Sequence, residues 1–162
     1  MKKLIKNREV IADTWLIVDH IDTPDALPQG DIIVSLAIWQ EHREILKSRQ
    51  TKLGVLLASD EEPEAIKDDL VSLAVIALDF PKFSDGRGYS SARELRNHYG
   101  YQGEIRAVGD VLRDQLYQME RCGFNSFAVR EDRSIEDAMT AFDDFSLSYQ
   151  ADVRNPEPLF RR

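Results

Sequence analysis

The chain has 162 residues, 43% of them hydrophobic, and carries 29 acidic against 21 Lys plus Arg residues for a formal charge of −8. That length suits one domain that buries a core without metals or disulfides, and the acidic balance argues against a protein whose main task is gripping the phosphate backbone of nucleic acid. A single cysteine, Cys122, leaves no internal disulfide, no Cys-rich zinc site and no thiolate set for an iron–sulfur cluster, which fits a reducing, cytoplasmic compartment.

The amino terminus, MKKLIKNREV, begins with basic residues but has no apolar stretch behind them to serve as a signal-peptide core. The longest apolar run, Leu73–Leu78, is far below the roughly 20 residues a bilayer span needs, so neither export nor membrane insertion is expected. Residues 1–22 read as a short β-meander, with strands at Lys3–Ile5, Val10–Ile11 and Trp15–Val18. A turn-rich linker follows, with Thr23-Pro24-Asp25, Pro28 and Gly30.

From Asp31 the pattern changes. Short apolar runs at Ile32–Ser35, Leu53–Ala58, Val75–Phe80, Glu104–Val108 and Ser126–Arg130 alternate with segments of helical period, such as Ile38, Trp39, His42, Ile45 and Leu46. Pro63 suits a first helical position, Gly123 a helix stop, and Ser134 with Asp137 a capping box. Five such units predict an α/β domain over residues 1–150 with a mostly parallel open sheet in three layers, residues 151–162 forming a flexible tail. The alternative is a half-barrel of βα units, completed by a homodimer, since five strands are too few to close an eight-stranded barrel.

Ligands of open parallel sheets bind beyond the carboxyl ends of the strands. Three loops would share that rim: Ser59–Glu62, Pro81–Tyr89 and Gly109–Asp110. In the second, Gly86 and Gly88 let backbone N–H groups approach a ligand, and Ser90 or Ser91 can cap the following helix. With the Arg87 guanidinium, and Lys82, Asp85 and Tyr89 beside it, this makes a compact site for sulfite, sulfate, phosphate or a carboxylate. The competing reading is structural: Asp85-Gly86 forms a turn and Arg87 pairs with Asp85 or Asp110 to hold the rim together. Asp110 is a candidate general base or a helix cap, and Asp79, ending an apolar strand, calls for a partner such as Lys82 or Arg87.

The spacing matches neither a dinucleotide fingerprint nor a P-loop, so no cofactor is identifiable. His20, His42 and His98 lie in separate elements without metal-ligand spacing, which argues for no metal site. Cys122 reads as a buried structural thiol, and Arg93, Arg96, Arg113 and Arg121 as solvated helix surface.

Through Phe80–Arg96, Gly103–Leu116 and Arg121-Cys-Gly-Phe124, the chain resembles a proteobacterial family classed as domain of unknown function 934. Members of that family are described as probable oxidoreductases of sulfite reduction, because their genes adjoin the one for the haem-containing sulfite reductase subunit. The resemblance implies a part in reductive sulfur assimilation with that subunit as a partner. Six-electron reduction needs a redox centre, however, and this sequence shows no cluster, flavin or nicotinamide motif, so an accessory protein that binds the reductase or a small oxyanion is the leading expectation. A small enzyme acting on a sulfur- or phosphate-bearing metabolite, with Arg87 holding the anion and Asp110 as base, or a flavin-binding oxidoreductase, is the alternative.

Overall fold

The computed structural model describes residues 2–82, 84–130 and 133–143. Its eight strands form one sheet: β1 (Lys3–Lys6), β2 (Glu9–Ala12), β3 (Leu16–Val18), β4 (Ile32–Ser35), β5 (Leu53–Leu57), β6 (Val75–Phe80), β7 (Glu104–Gly109) and β8 (Ser126–Phe127). The order is β2-β1-β8-β7-β6-β5-β4-β3. Strands β3 to β8 are parallel and adjacent in chain order, while β1 and β2 add an antiparallel hairpin beyond β8. The expected mixed α/β class with a mostly parallel sheet is what forms, and the sheet takes the curled half-barrel form.

The five predicted βα strands lie where the apolar runs place them, though β8 stops at Phe127 rather than Arg130. The N-terminal meander is corrected: β1 and β2 make a hairpin, but the third strand leaves them and pairs with β4 at the opposite edge. Helices are shorter and less regular than the periodicity suggests. Helix α1 (Leu36–Glu41), capped by the Ser35 hydroxyl, breaks at His42 before α2 (Arg43–Lys47). Residues Pro63–Ser72 wind as a 3₁₀ helix, and α3 (Arg87–Arg93) continues as a π turn over Glu94–His98. Helix α4 (Leu116–Cys122) ends at Gly123 with φ +123°, and Ser134 caps α5 (Ile135–Met139) by accepting from Asp137 N–H, both as predicted. The proposed tail at 151–162 lies outside the described residues.

Alternation along each strand separates two apolar clusters. On one face Val34, Val55, Ile76, Leu78 and Ile105 pack with helix residues such as Trp39, Ala92, Leu95 and Met119. The inner face carries a smaller cluster of Ile33, Val75, Ala77 and Val108, against which Trp15, Leu56 and Ala128 pack. Adding each parallel strand on the same side through right-handed crossovers brings the helices to one face, which leaves the concave face to be filled by the chain itself.

That filling comes from Asp13-Thr14-Trp15, which carries the chain from β2 to β3, across the sheet's two edges. Trp15 covers the inner cluster, and Asp13 meets Arg106, a side chain only 2% exposed. The guanidinium lies 3.3 Å from Asp13 Oδ1, 2.8 Å from Glu104 Oε2 and 5.9 Å from the Trp15 ring centroid. Lys6 Nζ completes the group, 3.0 Å from Glu104 Oε1. Burial pushes the Glu104 carboxyl up, yet Arg106 and Lys6 outweigh it and hold Glu104 below its ordinary value.

Because Glu104 is depressed by its partners, its contribution is present above the unfolded-state value of about 4.3 and fades as pH falls. Arg106→Leu should therefore destabilise the fold at pH 7 by about 3–5 kcal/mol, the cost of leaving buried carboxylates without their cation. In urea denaturation the deficit should shrink as pH falls, because without Arg106 burial pushes the Glu104 carboxyl up and it takes up a proton more readily in the variant. A deficit independent of pH would assign the loss to packing alone.

Candidate functional site

Strand direction places the carboxyl ends of β3 to β8 on one rim, and the loops after β5, β6 and β7 meet there as expected. Arg87 Nη2 donates to Ser59 Oγ at 2.9 Å, linking the first two loops, and Asp110 N–H donates to Phe80 carbonyl at 2.7 Å, linking the second and third. The rim is therefore one continuous surface.

Within it, Arg87 is tied to Asp85. Its backbone N–H, Nε and Nη2 all donate to the Asp85 carboxylate, at 3.1, 3.1 and 2.8 Å. These bonds from the Arg87 side chain and backbone, with a further one from Ser59, hold Asp85 well below the usual carboxylate range. Ser90 or Ser91 was expected to cap the helix, but α3 begins at Arg87 with Gly86 at the N-cap position, both serines fall inside it, and Asp85, one residue earlier, accepts the Arg87 N–H. Lys82 is exposed and supplies a turn carbonyl to Asp85 N–H, and Gly86 precedes the helix. Gly88 is buried against Phe80, whose ring would stand 2.5 Å from a Cβ at that position, so its role is close packing rather than ligand approach. Tyr89 is half-buried edge-on to Phe80, with centroids 5.6 Å apart.

Asp110 is corrected as well. Its Oδ1 accepts from Arg130 Nη1 at 2.9 Å, pairing it across to the loop after β8, and the N-cap position of the next helical turn falls to Leu112 rather than to Asp110. The carboxylate near the Asp85–Arg87 pair is Asp79, on the inner face at the end of β6. Gly109, with φ +91°, makes room for it: a Cβ there would lie 2.5 Å from Asp79 Oδ1. Burial pushes the Asp79 carboxyl above its ordinary value and the Asp85 charge adds to the shift, against a hydrogen bond from Phe80 N–H. The expected partners Lys82 and Arg87 are not engaged with it.

A cavity of about 880 Å³ lies beside these loops, in the mouth of the half-barrel. Ile17 of β3 forms one wall, Val108, Gly109 and Ala128 the floor, and Lys2, Lys3, Arg130 and Arg133 stand around the opening. Asp13 and Glu136 are the acids among its described lining residues; Asp13 is paired with Arg106, and Glu136 lies 3.8 Å from Lys3. Among the described lining residues four cations stand against two acids, and although Arg130 is matched by Asp110 and Lys3 by Glu136, these residues gather positive charge at the mouth of a chain whose net charge is −8. Arg133 is exposed and makes no side-chain hydrogen bond or ion pair with another described residue.

Sequence reasoning missed this cavity because Lys2, Lys3, Arg130 and Arg133 come from opposite ends of the chain and only the β1–β8 pairing joins them. The readable signal was Arg130 and Arg133 following the last βα strand. Arg96 is also corrected: instead of solvated surface, it donates to the carbonyls of Gly123, Tyr101 and Gly103 at 2.8–3.0 Å. Cys122 is buried as expected, and burial pushes its thiol up. Among the described residues no group of three His, Cys, Asp or Glu side chains is arranged to hold a metal ion, and no helix is long and apolar enough to cross a membrane.

Fold and rim together define an open half-barrel of βα units with a basic mouth. A family model described as "Bacterial protein of unknown function (DUF934)" matches residues 54–160, and the chain belongs to that family. No curated protein and no solved structure gives a significant match.

Since the folded state raises the Asp79 pKa, ionising Asp79 costs stability at neutral pH and nothing once both states are protonated. Asp79→Asn should melt at a higher temperature than the wild type at pH 7.5, with the advantage disappearing below about pH 4. Thermal denaturation across that range checks it, and a variant less stable at pH 7.5 would mean that Asp79 is satisfied by a partner.

Proposed function

We propose that the chain is a cytoplasmic accessory protein of assimilatory sulfite reduction, binding a small oxyanion group in the mouth of the half-barrel and working beside the haem-containing reductase subunit. The observation carrying the binding half is the concentration of Lys2, Lys3, Arg130 and Arg133 around one cavity at the carboxyl ends of parallel strands, in a chain that is otherwise acidic. Bidentate guanidinium donors suit tetrahedral and planar oxyanions alike. The sulfite-reduction half rests on the family resemblance at Phe80–Arg96 and Gly103–Leu116. In this reading the Asp85–Arg87–Ser59 group braces the rim, and Lys82, Gly86, Gly88, Tyr89, Ser90 and Ser91 support it, leaving the anion to the neighbouring mouth.

A second reading is a small enzyme acting on the bound anion's carrier. It is favoured by Asp79, whose raised pKa is what a proton-transferring carboxyl needs, and which packs against Gly109, itself a lining residue of the cavity.

A ligand present at ten times its dissociation constant stabilises the folded state by roughly 1.4 kcal/mol. Sulfite, sulfate or phosphate should therefore raise the melting temperature of the wild type measurably, and the shift should be lost in Arg133→Ala while persisting in Arg87→Ala. The reverse pattern would move the site to the Arg87 loop. For the partner, the tagged chain should retain the haem subunit at micromolar concentrations in pull-down, and failure to do so would remove the reductase from the proposal.

A further inference from the structure

The mouth is far larger than the anion it attracts. A tetrahedral oxyanion fills the space of a few water molecules at ~30 Å³ each, whereas the cavity holds about 880 Å³, the size range of pockets for organic ligands. Its lining is also divided by chemistry. Lys2, Lys3, Arg130 and Arg133 supply charge on the side of β1 and the loop after β8, while Ile17, Val108 and Ala128 present apolar surface from β3, β7 and the segment after β8.

Ile17 is the second observation. It belongs to the inward-facing set of its strand, in register with the fully buried Ile33, yet it remains 50% exposed. The fold itself leaves it uncovered, on the wall of the cavity, and an apolar side chain in that position gains from any apolar body placed against it.

We propose that the ligand of the mouth is an amphiphilic organic anion: a phosphate or sulfo group seated among the cations, carrying an apolar body that lies along Ile17, Val108 and Ala128. This rests on the anion-binding reading above and specifies the ligand class of the same site. Inorganic oxyanions then occupy only the head position and bind weakly.

The test is calorimetric titration of the full chain with inorganic phosphate, then with methyl, propyl and hexyl phosphate, and with hexanol as the uncharged control. Affinity should rise from phosphate to hexyl phosphate, approaching about fourfold for each methylene that is fully buried, and hexanol alone should bind poorly. Ile17→Ser should flatten the chain-length dependence while leaving the affinity for inorganic phosphate unchanged, because half-exposed Ile17 is no part of the closed core. Arg133→Ala should weaken every phosphate in parallel. Equal binding of inorganic and hexyl phosphate, or an unaltered chain-length dependence in Ile17→Ser, would overturn the apolar-body proposal and leave anion binding intact. Failure of every phosphate to bind would overturn both.

Discussion

Three residues join opposite edges of an eight-stranded sheet, and that covalent constraint shapes the rest of the molecule. From Ala12 to Leu16 the chain can span at most ~14 Å, whereas eight strands laid flat would separate their edges by ~34 Å at ~4.8 Å per strand. The sheet has to curl until β3 faces β7, β8 and β1 across its concave side. The lining of the mouth reflects this, since residues of β3 and of the β7–β8–β1 side enclose the same space. Once curled, the concave face has to be filled, and the joining segment does so with Trp15 and Asp13. Asp13 brings a carboxylate into the interior, where Arg106 answers it and Glu104 and Lys6 balance the remaining charge. A buried pair of this kind is weak evidence for net stability, because desolvation offsets much of the attraction. Its stronger effect is on register: only one alignment of the crossing segment gives Arg106 its second carboxylate.

The same closure decides how the rim is organised. The β5 and β6 loops are braced internally through Ser59, Asp85 and Arg87, and Gly88 is held against Phe80 by contact too close for any side chain. Arg87 on that side is matched by Asp85. On the other side, the β1–β8 pairing delivers Lys2 and Lys3 to the same opening as Arg130 and Arg133. A second clamp fixes that hairpin: Arg8 forks onto Glu120 at 2.7 and 3.0 Å and stacks over Phe142 at 5.4 Å. The basic mouth is thus a consequence of where the hairpin docks.

The βα rhythm was legible because buried parallel strands must be nearly continuous in apolar residues, and Ile32–Ser35 and Val75–Phe80 form where that pattern places them. The glycine stop at Gly123 and the Ser134 cap were legible because both act within one turn of chain. What escaped was long-range. The departure of β3 from the hairpin is decided by pairing with β4, since nothing local distinguishes a third meander strand from an edge strand of a parallel sheet. Glu104 and Arg106 sit two apart in an otherwise apolar run, which by alternation puts both on one face; that spacing signalled an internal ion pair. Arg87 shows the limit of residue types as evidence: Asp85-Gly86-Arg87-Gly88 reads equally as an anion loop and as a braced turn, and the geometry of Asp85 favours the second.

The buried cation and the cations at the opening play different parts. Arg106 is buried, and its charge is already matched by Asp13 and Glu104, so the field it sends into the mouth is small. An anion arriving there responds to the outer ring instead, where exposed Arg133 and Lys2 work against solvent screening over a distance of about 8–10 Å at ordinary salt. Such a ring attracts and orients a charged head without binding it tightly, because most of its attraction is shared with water. Affinity must then come from what the water-exposed apolar wall can bury. That division gives Ile17, left half-exposed by the curl of the sheet, a place in recognition that packing alone does not explain.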